Sequence, residues 1–294
     1  MRPSIPESAS AELAPIAPDF PSVPARGTVR GRVSRPAGII GLSLVGATLA
    51  MALLAPVIAS DPFALSGPPL AAPTRHHVMG TDALGRDVFS GVVYGARASL
   101  SVATSVVVLT LVIGLGVGMV AGYAGGILDD VMMRLTELFH VMPRFLLVVV
   151  GIALFGSGLW QLVLILGLTS WPTLARVVRA EVISLREHDF VRAAEASGAT
   201  RSRILARELL PNVMPSAIVM AGLIFGQVLL VEASLGFLGI GDPNAMSWGG
   251  LAGQAQGFLR VAWWLSFFPG LAITLAVLGS NLLADALSHT PDAG

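Results

Sequence analysis

The feature that most restricts this chain is a set of long runs that contain no Asp, Glu, Lys or Arg: residues 37–60, 98–128, 145–175, 209–231 and 261–284. A bilayer core about 30 Å thick takes about 20 apolar residues per helical crossing, and a helix satisfies its backbone groups internally. Each run therefore reads as membrane-spanning helix. The 145–175 run is long enough to hold parts of two, and Gly156, Ser157 and Gly158 offer the turn that divides them. The predicted fold is all-α with six transmembrane helices, near 38–60, 98–124, 136–155, 159–179, 212–232 and 262–284. Composition agrees: 12% of residues are charged, against roughly 25% in an ordinary soluble domain, and the mean hydropathy is +0.78. The first run follows a Pro-rich leader and exceeds the apolar core of a secretion signal, so it reads as a permanent helix.

Arginine sets the orientation, since the chain has no lysine. With the N-terminus inside, 14 arginines fall in cytoplasmic segments and 4 (Arg75, Arg86, Arg97 and Arg260) in outside ones. This bias is the positive-inside pattern and predicts both termini in the cytoplasm. Residues 1–36, rich in Pro, Ala and Ser, read as a flexible cytoplasmic leader, and residues 288–294 as a short cytoplasmic tail. The missing lysine excludes a GxxxxGK[ST] phosphate loop and a Schiff-base lysine. The missing cysteine excludes disulfides, zinc thiolates and iron–sulfur clusters.

One polar stretch interrupts the greasy chain: FVRAAEASGATRSRILARELLPN, from Phe190 to Asn212. Asp189 is predicted to cap a first short helix that Gly198 ends, and Thr200 a second that Pro211 leaves for the next crossing. A helix of about eight residues is marginal alone in water, so it leans on something. An ordinary basic loop on anionic headgroups accounts for the arginines. The small face of Ala193 and Ala194 and the two-cap pattern suit insertion into a groove on a partner protein.

Arg192-Ala193-Ala194, then Gly198, then Leu210-Pro211 resembles the Glu-Ala-Ala-x3-Gly-x9-Ile-x-Leu-Pro motif of permease subunits in bacterial ATP-binding-cassette importers. Arg192 stands where that family has Glu, and Glu208 where it has Ile. A second stretch, Gly80-Thr81-Asp82-Ala83-Leu84-Gly85-Arg86-Asp87 with Ser90, Tyr94-Gly95-Ala96-Arg97 and Ser99-Leu100, resembles the C-type permeases of dipeptide, oligopeptide and nickel importers. Further similarity lies at Glu232 to Gly241 with Ser247-Trp248-Gly249, where Gly236 replaces a usual Ser. Pro269-Gly270 and Asn281 to Asp285 resemble the family's PGxxI…NLLGD, with Ala284 for Gly. Together the matches run from about 38 to 287.

The resemblance implies a type I importer permease fold over 37–287, with an ATPase-coupling region at about 186–211. The coupling residues it names are Arg192, Ala193, Ala194, Gly198, Leu210 and Pro211. It also implies a homologous second permease, two cytoplasmic ATPases and an extracytoplasmic substrate-binding protein around this chain in a bacterial inner membrane. ATP and Mg would be bound by the ATPases, with no catalytic residue, cofactor or metal on this chain and no nucleic acid among its partners. The cargo would be a peptide or a related small solute such as a nickel chelate.

Polar residues inside the crossings are weighed separately. Glu137, His140 and Arg144 are spaced to share a helix face and read best as the water-reaching end of the third crossing. Glu232, near the outer end of the fifth, is the pathway candidate. Asp82, Arg86 and Asp87 read best as caps at the mouth of the second crossing. Trp248 suits a membrane interface, and His76-His77 is weak ground for a metal. A secondary transporter or channel without an ATPase is the alternative, but sparse intramembrane charge and the lack of a repeat count against it. A membrane enzyme would need a nucleophile and base near one depth, and none is evident.

Overall fold

The computed structural model describes residues 35–288. The predicted leader, 1–36, lies outside the described residues except for its last two, and the predicted tail, 288–294, except for Ser288. The helices are α1 (Arg35–Ile58), α2 (Val88–Ala124), α3 (Gly126–Val141), α4 (Arg144–Phe155), α5 (Leu159–Leu185), α6 (Asp189–Ala196), α7 (Arg201–Arg203), α8 (Leu210–Phe237), α9 (Trp248–Gln254) and α10 (Trp264–Ser288). A π-helical turn, Ile204–Leu209, joins α7 to α8, and a 3-10 turn, Ala255–Phe258, follows α9. Among the described residues pairing is limited to two isolated bridges, Leu65 with Arg86 and Thr81 with Asp87.

Five rods are long and apolar enough to cross a membrane: Pro36–Ile58, Val88–Ala124, Leu159–Leu185, Arg201–Phe237 and Trp264–Ser288. The third predicted crossing, 136–155, is not one helix. Its residues fall in α3 and α4, which meet at 86° and together would make a sixth, broken span. Pro143 explains the break, because its ring disfavours helical backbone in the residue before it, and Met142 is extended at φ −85° and ψ 133°. The face expected for Glu137, His140 and Arg144 is split accordingly. Glu137 is exposed, Arg176 donates to His140 Nε2, and Arg144 opens α4 and donates from Nη2 to Ser170 Oγ on α5 at 2.6 Å.

Other boundaries move for similar local reasons. The second crossing starts at Val88, ten residues early, because Asp87 caps it: Oδ2 accepts from Ser90 N and Ser90 Oγ, each at 2.8 Å. The turn expected at 156–158 is present, with Gly156 closing α4 at φ +90°. Pro211, by contrast, does not separate two helices. The π turn widens the helix just ahead of it, with Leu210 N–H donating to Leu205 O, so the ring is accommodated and the rod runs unbroken from Arg201 to Phe237.

Lipid tails are as apolar as leucine, so close backbone approach, more than burial, joins helices in a membrane. Gly114, Gly118 and Gly122 form a groove on α2, and a Cβ on each would strike Leu174, Ala175 O with Val178, and Arg179 O with Val182 at 2.6–2.9 Å. Gly167 of α5 returns the contact against Leu109. Leu166, Leu174, Val178 and Val182 are buried there. Outward-facing side chains stay apolar, as Val57 (82% exposed) and Trp160 (76%) illustrate.

Candidate functional site

The residues singled out in sequence fall at opposite ends of the bundle. At one end lies α6, whose backbone start differs from expectation. His188 holds the N-cap position in extended conformation, its ring turned back to Ser184 O at 3.1 Å, and Asp189 is already the first helical residue. There its carboxylate suits the positive helix terminus without capping it. Thr200 does sit at the N-cap of α7, but its hydroxyl meets Ser202 Oγ at 3.3 Å rather than a backbone N–H.

Gly198 ends α6 at φ +76°, the left-handed conformation that a Cβ disfavours. Its N–H donates to Glu195 O at 2.9 Å and Ala199 N–H to Ala194 O at 3.1 Å, the paired closure of a Schellman motif. Ala199 and Ala194 both pack toward the core. The stop therefore fixes the angle at which the chain leaves α6 for the rod.

Three apolar side chains anchor this end: Val191, Ile204 and Leu209, each at most 1% exposed. Sequence reading missed them, although their apolar character among arginines was the available signal. Polar ties complete the frame. Tyr123, at the end of α2, donates its hydroxyl to Glu195 Oε1 at 2.9 Å. Arg179 of α5 grips Asp129 of α3 through Nε and Nη2 at 2.5 and 2.6 Å, a two-point geometry stronger than a single bond. Around this frame Arg192, Ala193, Gly198 and Pro211 are exposed, while Ala194 and Leu210 are half-buried. Arg192 donates to Glu187 Oε2 at 2.9 Å within its own chain.

The opposite end is organised around α9. Trp248 is not at a membrane interface: it is fully buried and donates Nε1–H to Val92 O at 2.8 Å. A Cβ on Gly95 would lie 2.8 Å from its ring, so that glycine makes the slot. Ser99 donates its hydroxyl to Glu232 Oε2 at 3.0 Å and accepts from Trp248 N–H at 3.3 Å. Glu232 of α8, the pathway candidate, is thus 5% exposed and held against α2. Gly236 stands against Gly249 and Gly250 backbone, where a Cβ would meet Gly250 N at 2.7 Å. A Ser, usual at this position in the family the motif resembles, would require α8 and α9 to part.

The loop before α2 locks the same end. Asp82 Oδ1 accepts from Leu84 N and Arg86 N, both at 2.8 Å, and His77 Nδ1 lies 3.1 Å from Asp87 Oδ1. Trp264 of α10 donates Nε1–H to Thr81 O at 3.1 Å. Asp82 and Asp87 are accordingly turn and cap. Among the described residues no three His, Asp or Glu side chains are placed to hold a metal ion.

Comparison with known proteins matches this architecture. Residues 114–290 match the family described as binding-protein-dependent transport system inner membrane component. The chain is 37% identical over 257 residues to the dipeptide transport system permease protein DppC of Alkalihalophilus pseudofirmus, covering 86% of this chain and 84% of that protein. It is 38% identical over 222 residues to the protein of the same name from Bacillus subtilis, covering 75% and 69%. A chain of the MetNI methionine ABC transporter, solved in inward-facing conformations, superposes with a TM-score of 0.53 over 67% of this chain and 96% of that one. At 21% identity that likeness concerns the fold. With a bundle of membrane-length rods, a short exposed helix at one end and these relatives, the chain belongs to the binding-protein-dependent transport system inner membrane components, as the permease subunit of an ABC importer.

Proposed function

We propose that this permease carries peptides, and that α6 is the helix through which two cytoplasmic ATPases drive it. A homologous second permease would complete the pathway, and an extracytoplasmic binding protein would deliver cargo at the α9 end. The relatives named as dipeptide permeases support the cargo class. The arginine bias supports a cytoplasmic α6 end and cytoplasmic termini. ATP and Mg belong to the ATPases in this reading, since a chain without lysine has no phosphate-loop lysine of its own.

The observation that carries the docking role is the build of α6. Its inner face is pinned by Val191, its exit is fixed by Gly198, and its outer face offers Arg192 and Ala193 to a partner. Leu210 and Pro211 begin α8, so a push on α6 passes through the π turn into a rod that reaches the α9 end. ATP-driven approach of the two ATPases would bias the permease between inward and outward access through such contacts, without chemistry on this chain. Glu232 would line the pathway only in a state in which Ser99 parts from it.

Two measurements test the reading. Affinity-tagged permease should bring down its ATPase, and Val191→Asp, which unseats α6, should abolish that capture; undiminished capture would remove the docking role. A Ser197→Cys variant should resist an impermeant thiol reagent added to intact cells, and labelling from outside would invert the orientation.

A further inference from the structure

Between the loop that precedes α2 and the turn from α8 to α9 lies a cavity of about 460 Å³, with Phe63, Arg86, Asp242, Ser247 and Gln254 on its wall. A second cavity of about 300 Å³ adjoins Arg86 and Gln254, with Asp82 and Leu265 also lining it. Arg86 is the cation common to both.

Only the backbone of Arg86 is engaged by the surrounding turn, its N–H donating to Asp82 Oδ1 and its carbonyl accepting from Asp82 N at 2.9 Å. The guanidinium carbon lies 5.4 Å from the centroid of the Phe63 ring, a contact that fixes the plane of the donor fork. Nε is shut away from solvent with no hydrogen-bond partner among the described residues. Arg86 also makes no ion pair among them. Arg86 as a whole is only half-buried, and a guanidinium fork matches a carboxylate.

Asp242 supplies the opposite charge on the same wall. Its Oδ1 accepts from Asn244 N at 2.8 Å and its Oδ2 from Leu159 N at 3.1 Å, which hold the carboxylate in place. Asp242 and Arg86 are not paired with each other. A concave site of a few hundred Å³ with one fixed cation and one fixed anion complements a small zwitterion. An acidic side chain of a docking protein would answer only the cation.

We infer that this cavity is a binding site for a short zwitterionic peptide, its terminal carboxylate on Arg86 and its ammonium toward Asp242. This rests on the peptide reading above, and deepens it by placing a cargo contact on the permease itself. Gln254 lies on the same wall, whereas the Ser247 hydroxyl is taken up in capping α9, accepting from Gly250 N–H at 3.2 Å.

The test uses the assembled transporter in lipid nanodiscs without its binding protein, and equilibrium dialysis of radiolabelled alanyl-alanine, its C-terminal amide and its N-acetyl derivative. Alanyl-alanine should bind saturably, and each blocked form about tenfold more weakly. Arg86→Gln should weaken alanyl-alanine about tenfold and erase its advantage over the amide, while Arg86→Lys keeps part of it. Asp242→Asn should erase the advantage over the N-acetyl form. If Arg86→Gln does not assemble, Phe63→Leu should still weaken alanyl-alanine a few-fold by freeing the guanidinium plane. Equal binding of the three forms, or no saturable binding of alanyl-alanine, overturns the proposal. So does an Arg86→Gln complex that loses affinity for the binding protein alone. Uptake of alanyl-alanine by cells separates the two readings: uptake without nanodisc binding sinks the site, whereas binding with the predicted preferences but no uptake sinks the cargo assignment.

Discussion

The two ends of the bundle are held by different physics. At the α9 end the ties are buried: the Trp248 indole on Val92 O, Ser99 between Glu232 and Trp248, and Trp264 on Thr81 O, all beside glycines that admit no Cβ. At the α6 end the frame rests on Val191, Ile204 and Leu209, and most of the polar ties sit in water. A buried polar tie is costly to lose because its partner is left without water to replace it. An exposed one exchanges for solvent. The α9 end is therefore rigid by construction, whereas the α6 end can vary its surface while keeping its frame, which is what the docking role proposed for it would require.

Substitutions measure that contrast directly. The largest effect is expected for Trp248→Ala, which empties a fully buried indole site and orphans the Val92 carbonyl; loss of an aromatic of this size costs about 3–5 kcal/mol. Thermal unfolding of the purified permease, followed by size-exclusion of the soluble fraction, should show a sharply lowered midpoint, and an unchanged midpoint would deny that α9 is locked at all. Ser99→Ala should come next, at about 1–3 kcal/mol, because Glu232 stays enclosed and loses the Ser99 hydroxyl bond. Glu232→Gln in the Ser99→Ala background should cost less than it does in the wild type, since the bond to Ser99 that it disturbs is already gone.

Gly198→Val probes the other end. A β-branched side chain at φ +76° strains the backbone by about 1–2 kcal/mol, although a side chain there would meet open space. The strain therefore falls on the angle of exit rather than on packing. The protein should remain in the membrane at near-normal levels, while uptake falls far more than abundance. Normal uptake would show that the exit angle of α6 does not transmit force.

How far the sequence discloses this arrangement depends on the range of the interactions concerned. The crossings were legible because charge-free runs report the solvent around a helix, and Gly198 was legible because a left-handed stop is a local demand. The break at Pro143 was hidden inside an apolar count that treats 136–155 as uniform. The glycine groove on α2 carries meaning only opposite α5, and Trp248 looked interfacial until Gly95, some 150 positions away, was placed against it. At the α6 end the arginines drew the eye, while the anchors that hold the helix were three ordinary aliphatics. What escaped was long-range pairing, which composition and period do not encode.

The smallest effect is expected for Arg192→Glu, and it is the most informative about docking. Arg192 and Glu187 are each 62% exposed, so their pair is screened by water and salt and contributes less than about 1 kcal/mol. The substitution places a third carboxylate beside Glu187 and Glu195 on a surface that solvent already covers, and the unfolding midpoint should barely move. It also restores the acidic residue that permeases with the Glu-Ala-Ala motif carry at this position. Glu187 already answers the arginine within the chain, so under the proposed docking role the fit should rest on shape more than on charge at this position. Capture of the ATPase by tagged permease should then stay within about twofold of wild type, a difference worth less than 0.5 kcal/mol. A loss of tenfold or more would mean that the ATPase reads the charge at 192, and that the Arg192–Glu187 pair opens on docking. In that case the exposed end would owe its fit to complementary charge, and not to the shape that Val191 and Gly198 impose.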